Sequence, residues 1–314
     1  MKCLVSGATG FVGRPLCRQL ADLGHTLIAL SKSGASLPSG IPTVALDLSK
    51  TMPTEQMMKG VEVVFHLAAI AHQRADGKAY DALNHNATLS LARVCHAAGV
   101  KRFIFVSSVK AMGSATTGNG ERTELDCAIP KDAYGLSKWQ AEQSLCAEFA
   151  SGPMSVVILR PALVYGAAAK GNLARLASAI RYGLPRPPER GGRSMIAVDD
   201  LAGLMCELAS SSLSNLQTWI VTDGRAYSTR NVYDVLRNAM GKSAGRVWLP
   251  VFAWRFLASA VDTVSGNERG ETHNKLFGTE LYSNRAIIEA TSWQPKVSLE
   301  QVAADIVRTA GAFR

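Results

Sequence analysis

Short apolar runs alternate with amphipathic stretches through the first half of the chain. Residues 2–6 (Lys2-Cys3-Leu4-Val5-Ser6) read as a buried strand that runs into a glycine turn, Gly7-Ala8-Thr9-Gly10-Phe11-Val12-Gly13. Helical spacing follows over 11–23, and Gly24 stops it. Further strands are predicted at 26–30, 43–46, 61–67, 103–107 and 155–160, with helices over 80–98 and 133–150. The 61–67 run shows no polar alternation, as expected of a strand covered on both faces. Strands separated by helices predict an α/β fold, a doubly wound parallel sheet of the Rossmann type with right-handed crossovers.

Past about residue 166 the alternation fades. Leu184-Pro185-Arg186-Pro187-Pro188 and Gly191-Gly192-Arg193 read as loops, and short strands are predicted near 194–198 and 218–222. The expected division is a first domain over 1–166, its last elements completed from the 190–225 region, and a smaller α/β lobe over 167–314. Residues 251–264 form an apolar, amphipathic stretch containing Trp254 and Phe256. It is expected to pack within the lobe, with a membrane surface or a partner as the alternative. The polar stretch 265–272 is expected to be a mobile loop.

A hydrophobic fraction of 47% in 314 residues supports a large core. No apolar run reaches the ~18 residues of a membrane span. The N-terminus enters strand and turn directly, leaving no signal peptide, so a cytoplasmic protein is expected. Six cysteines lack CxxC spacing and six histidines lack an HExxH pattern, so reduced thiols and no metal site are expected. The net charge of +9 admits nucleic acid, an anionic membrane surface or a small polyanion as partner. No block of five basic residues occurs, and the 7% of aromatics are not interleaved with cations, so small anionic ligands fit best.

Gly7, Gly10 and Gly13 lie between a predicted strand and a predicted helix. Glycine permits the sharp turn and the close approach of a pyrophosphate, and the helix N-terminus adds N–H donors and a favourable dipole. The spacing is GxxGxxG rather than GxGxxG. At the end of the second strand, where an acid would accept the ribose hydroxyls of NAD, the chain has Leu30-Ser31-Lys32-Ser33. Lys32 with Ser31 or Ser33, helped by Arg14, suits a 2′-phosphate. NADP(H) is therefore preferred and NAD(H) remains open; the plain alternative makes Lys32 a solvated loop residue. Asp47 is expected on the adenine side.

Tyr134 and Lys138 are four apart, so a helix sets them on one face. A nearby ammonium is expected to lower the tyrosine pKa, letting it exchange a proton with a sugar hydroxyl near neutrality. The lysine can also hydrogen-bond a nicotinamide ribose. Ser107 and Ser108 end the fifth predicted strand, where open parallel sheets bind ligands. A hydroxyl there can hold the substrate oxygen beside the tyrosine.

With Gly7-Ala8-Thr9-Gly10-Phe11-Val12-Gly13, His66-Leu67-Ala68-Ala69, Asn84, Ser108, Tyr134, Lys138, Arg160-Pro161, Val164-Tyr165-Gly166 and Trp293-Gln294-Pro295, nearly the whole chain resembles an extended short-chain dehydrogenase/reductase of the nucleotide-sugar epimerase/dehydratase group. The resemblance implies a catalytic triad of Ser108, Tyr134 and Lys138, with Asn84 supporting the active-site helix. It implies that Ala68 and Pro161 line the cofactor groove, to which the residues read above and their neighbours are expected to add Gly7, Thr9, Gly10, Phe11, Val12, Gly13, Arg14, Ser31, Lys32, Asp47, Leu48, Leu67, Ala69, Asn84 and Ser107, together with Tyr134 and Lys138. It also implies a lobe that binds a nucleoside diphosphate sugar, with Lys110, Asn172 and Arg193 on the substrate. A homodimer through the helices at 80–98 and 133–150 is a further implication.

Three reactions compete within that family. Dehydratases place Asp-Glu after the catalytic hydroxyl residue; here Val109-Lys110 stands there, which argues against dehydration. Lys110, and Met112 at a position where tyrosine is usual, make the chain similar to the subgroup that reduces UDP-4-keto-6-deoxy-N-acetylglucosamine to UDP-N-acetylquinovosamine for bacterial surface polysaccharides. The alternative is a UDP-glucose or UDP-N-acetylglucosamine 4-epimerase. A non-catalytic NADP(H)-sensing protein is more remote, because Tyr134 and Lys138 are both kept.

Overall fold

A computed structural model describes residues 1–71, 76–114, 120–168, 172–212, 216–266 and 268–312, with the side chains of residues 172, 265, 311 and 312 outside the description. The chain runs β1 (Lys2–Ser6), α1 (Gly13–Asp22), β2 (Thr26–Ser31), β3 (Val44–Ala45), α2 (Glu55–Met58), β4 (Val63–His66), α3 (Gly77–Tyr80), α4 (Ala87–Ala97), β5 (Arg102–Val106), α5 (Ala133–Phe149) and β6 (Ser155–Pro161). Six π-helical residues, Asp81–Asn86, join α3 to α4, so the predicted 80–98 helix carries a widened turn in its first half. There follow β7 (Leu163–Tyr165), α6 (Asn172–Arg181), β8 (Gly192–Ala197), α7 (Val198–Ser210), β9 (Leu216–Val221), β10 (Ala226–Tyr227), α8 (Thr229–Ala239), α9 (Val251–Ser265), α10 (Glu271–Phe277), β11 (Thr279–Glu280), α11 (Arg285–Thr291) and α12 (Leu299–Ala312).

Seven parallel strands form one sheet in the order β3-β2-β1-β4-β5-β6-β9. Side chains alternate across it, and both faces are apolar. Cys3, Val5, Phe65 and Ile104 face α1 and α7, while Leu4, Val64, Phe103 and Phe105 face α4 and α5. β1 has β2 on one side and β4 on the other, and the connections leave in opposite directions. The crevice at their C-terminal ends is where such sheets bind ligands.

The strand expected near 218–222 is β9. It pairs with β6 from Val156–Leu216 to Pro161–Val221 and completes the first sheet, while α7 packs on α1. In the lobe, β8 pairs with β7, β10 and β11, and α6, α8 and α12 cover a separate core that includes Ile180, Leu236 and Leu299. The Tyr165 hydroxyl ties lobe and sheet together by donating to the Val297 carbonyl (2.8 Å) and to Asp223 (3.1 Å).

Two expectations for 251–272 need correction. α9 packs inward only through Trp254, Ala258 and Asp262; Trp254 meets Phe277 of α10 edge-on. Its other side, with Phe252 and Phe256, faces outward, because only one of its two apolar stripes has a partner. In the stretch expected to be mobile, residue 267 lies outside the described residues, while Gly270 and the start of α10 are held: the buried Asp262 carboxylate accepts the Gly270 N–H (2.8 Å) and the Thr272 N–H (2.9 Å). Among the described residues, no helix is long and apolar enough to cross a membrane.

Candidate active site

The glycine turn is shaped by close approach. Gly7 has φ +71°, and a Cβ there would lie 2.8 Å from the Ala68 backbone nitrogen. A Cβ on Gly13 would collide with the Gly7 carbonyl and Ala8, so glycine lets α1 press against the end of β1. No side chain caps α1 and no acid sits in its first turn. Its N–H donors and dipole therefore face the crevice uncompensated, which fits an anionic pyrophosphate. Leu67, Ala68 and Ala69 line the opposite wall half-buried, Pro161 ends β6, and Leu48 lies buried after β3.

A chain of buried hydrogen bonds fixes this floor. Ser6 Oγ accepts from the backbone N–H groups of Leu67 (3.2 Å) and Ala68 (3.3 Å), so its own proton goes to His66 Nδ1 (2.7 Å). The other imidazole nitrogen then donates to Thr88 Oγ1 (2.9 Å), which donates to the Asn84 carbonyl (2.8 Å). Burial pushes the His66 pKa down to about 3, keeping the ring neutral as this proton order requires. Asn84 lies in the π-helical turn and is fully buried. Its amide holds the Ile70 backbone at both ends and donates to Ser137 Oγ (3.1 Å), beside Lys138 on α5.

Asp132 starts α5 by accepting the Gly135 N–H (2.8 Å). Gly135 itself is required, because a Cβ there would be 2.6 Å from the Lys110 carbonyl. This contact seats the first turn of α5 against Ser108 and sets Tyr134 beside the Ser108 hydroxyl. The Tyr134 pKa rises to about 12, driven by burial and opposed by the Ser108 hydrogen bond. That reverses the expected lowering. The buried Lys138 is itself held down to about 7 by desolvation, and its Nζ donates to the Val106 carbonyl (2.8 Å) over the Phe105 ring. Burial thus outweighs any pull from Lys138 on the phenol.

One turn further on the same face stands Glu142, which the sequence reading did not single out. It forms a buried ion pair with Arg160 (2.7 Å) and accepts the Ser107 hydroxyl. Its charge lifts the Lys138 pKa against the stronger effect of burial. The i, i+4, i+8 series Tyr134, Lys138, Glu142 was the available signal. The buried Ser107 hydroxyl is thus already engaged by Glu142. Ser31 is likewise engaged internally, bonded to Thr43 Oγ1 (2.7 Å) and accepting the Gly34 N–H (2.9 Å).

At the far end of the crevice Lys32 reaches Asp47 (3.2 Å), whose carboxyl is lowered to about 2 by Ser49 and Lys32. An acid absent from the end of β2 is thus supplied from behind β3. Arg14 Nε donates to the Thr9 carbonyl (2.9 Å). Where the lobe meets the crevice, at the positions expected on the substrate, Lys110 (3.3 Å) and Arg193 (3.0 Å) converge on one carboxylate, Glu280. Glu280 is the register partner of Arg193 across β11 and β8, and no local pattern marks it. Asn172 opens α6, but its side chain lies outside the described residues.

Residues 3–215 match the model of a family described as the NAD dependent epimerase/dehydratase family. The chain is similar to the UDP-glucose 4-epimerase of Vibrio cholerae, 30% identical over 99% of this chain and 94% of that one. It is also similar to the 2'-dehydrokanamycin reductase of Streptomyces kanamyceticus, 28% identical over 80% of this chain and 70% of that one. The fold matches that of Thermus thermophilus UDP-glucose 4-epimerase solved with NAD, at a TM-score of 0.75 and 22% identity over the full length of both chains.

Proposed function

The chain belongs to the NAD dependent epimerase/dehydratase family, and on that premise we propose that it reduces the C4 ketone of UDP-4-keto-6-deoxy-N-acetylglucosamine to give UDP-N-acetylquinovosamine. The observation that carries this reading is Tyr134, a half-buried phenol beside Ser108 with its pKa pushed up to about 12. Such a group is protonated throughout the neutral range, and ketone reduction needs a proton donor at the oxygen that becomes the alcohol.

When bound, the nicotinamide supplies the hydride to C4. Tyr134 gives its proton to the C4 oxygen, and the Ser108 hydroxyl holds that same oxygen in place. Lys138 keeps its amine at the base of the crevice, where further N–H bonds can reach the nicotinamide ribose. Glu142 and Arg160 anchor the turn of α5 that carries it. Val109 and Lys110 offer no acid–base pair for water loss. Arg193 and Lys110 would exchange Glu280 for the substrate diphosphate. The same proposal includes a homodimer through α4 and α5, a cytoplasmic location and a role in surface-polysaccharide synthesis.

For the cofactor we propose NADP(H) in preference to NAD(H). Lys32 is largely exposed, its pairing with Asp47 is worth at most about 1 kcal/mol, and a phosphate dianion competes for it. Lys32→Ala should weaken NADPH binding about tenfold and leave NADH within about twofold. An equal effect on both would remove the preference.

A second reading, a UDP-sugar 4-epimerase, draws on the full-length similarity to the Vibrio cholerae protein. Tyr134 would then take and return the C4 proton within one turnover. Purified protein with NADPH and the 4-keto substrate separates the two. Stoichiometric loss of NADPH absorbance supports the reductase. Interconversion of UDP-glucose and UDP-galactose without net cofactor use replaces it with the epimerase.

A further inference from the structure

The outward side of α9 has no partner within the described chain. Phe252, Phe256, Ala260 and Val264 recur every fourth residue and so share one side of the helix, and Leu257 and Val261 widen it. Phe256 is 73% exposed and Val264 89%. Trp248, four residues ahead of Phe252 in sequence, is also 67% exposed. A contiguous apolar face of this kind on a folded protein marks a place where something docks.

Cations stand at its margin. Phe252, Phe256, Arg255, Arg269, His273 and Asn274 line a groove of about 570 Å³ beside the exposed stripe. Among the described residues no carboxylate forms an ion pair with Arg255 or Arg269, whereas Arg186, Arg193, Arg225, Arg230 and Arg308 of the same lobe are paired. Aromatic and aliphatic side chains flanked by uncompensated guanidinium groups suit a surface that is apolar beneath and anionic above. A second copy of the chain suits it less well. A twofold contact sets a patch against itself, so Arg255 and Arg269 would meet the same cations on a molecule of net charge +9.

We propose that α9 lies flat on an anionic lipid bilayer, with Phe252, Phe256 and Val264 entering the acyl boundary and Arg255 and Arg269 meeting headgroup phosphates. Asn274, on the groove, accepts a hydrogen bond from Arg193 (2.9 Å), so the docked face adjoins the substrate side of the crevice. The inference stands whichever reaction the enzyme catalyses.

Flotation with vesicles of phosphatidylcholine, alone or with about 30 mol% phosphatidylglycerol to give an anionic surface, decides it. The wild type should float with the anionic vesicles and much less with the neutral ones, and added salt should weaken its binding. Phe252→Ser with Phe256→Ser should lower anionic-vesicle binding about tenfold or more. Arg255→Gln with Arg269→Gln should remove the preference for phosphatidylglycerol, and both pairs should leave turnover in solution unchanged. Absence of wild-type binding at low salt would overturn the proposal, as would binding indifferent to the phenylalanines. Concentration-dependent self-association abolished by Phe252→Ser would overturn it in favour of a second copy.

Discussion

The two ends of the crevice are held in different ways. On the floor, from Ser6 through His66, Thr88 and Asn84 to Ser137, every link is buried and each proton has one place to go. Glu142 and Arg160 add a buried ion pair under Lys138. At the rim, Lys110, Arg193 and Glu280 meet in a partly exposed cluster whose partners can be exchanged at little cost. Under the proposed function, the chemistry that needs fixed geometry would fall on the part that cannot rearrange, and recognition on the part that can.

The largest test of this contrast is Glu142→Gln. It leaves the Arg160 charge buried without its carboxylate and should cost about 3–5 kcal/mol of stability, read from urea unfolding. A loss below about 1 kcal/mol would mean that the floor is not held this way. Next is His66. The unfolded chain binds a proton near pH 6.5, whereas the folded ring resists until about pH 3. The unfolded state therefore holds more protons in that window, and stability falls as pH drops through it, by up to about 1.4 kcal/mol per pH unit. A His66→Gln variant should show a flatter acid limb, and an unchanged slope would assign acid sensitivity elsewhere. The smallest effect belongs to the rim. Glu280→Gln should leave stability within about 1 kcal/mol and tighten UDP binding severalfold by freeing Arg193 and Lys110. Calorimetry giving equal or weaker UDP binding would show that Glu280 helps the site rather than competing in it.

Local patterns carried most of the first sheet and its helices. Residues 2–6 match β1 end to end, and the helical spacing that joined Tyr134 to Lys138 is that of α5. What local patterns miss is set by partners distant in sequence. Ser31 and Ser107 read as free hydroxyls at strand ends, yet Thr43 and Glu142 draw both inward. Asp47 reaches Lys32 only because β3 lies beside β2. The direction of the Tyr134 shift depends on burial, which the spacing of two residues does not report. In α9, a stripe at 252, 256, 260 and 264 has the same spacing whether it faces a core or open solvent.

The central claim is that Tyr134 moves the proton while the glycine turn and Lys138 hold the dinucleotide. Tyr134→Phe keeps the ring and removes only the hydroxyl, so one preparation measures both halves. Dinucleotide titration by fluorescence should give a dissociation constant within about twofold of wild type, while turnover of the nucleotide sugar falls by at least about a hundredfold. Turnover within about tenfold of wild type, or loss of dinucleotide binding with the residual chemistry intact, would contradict the account.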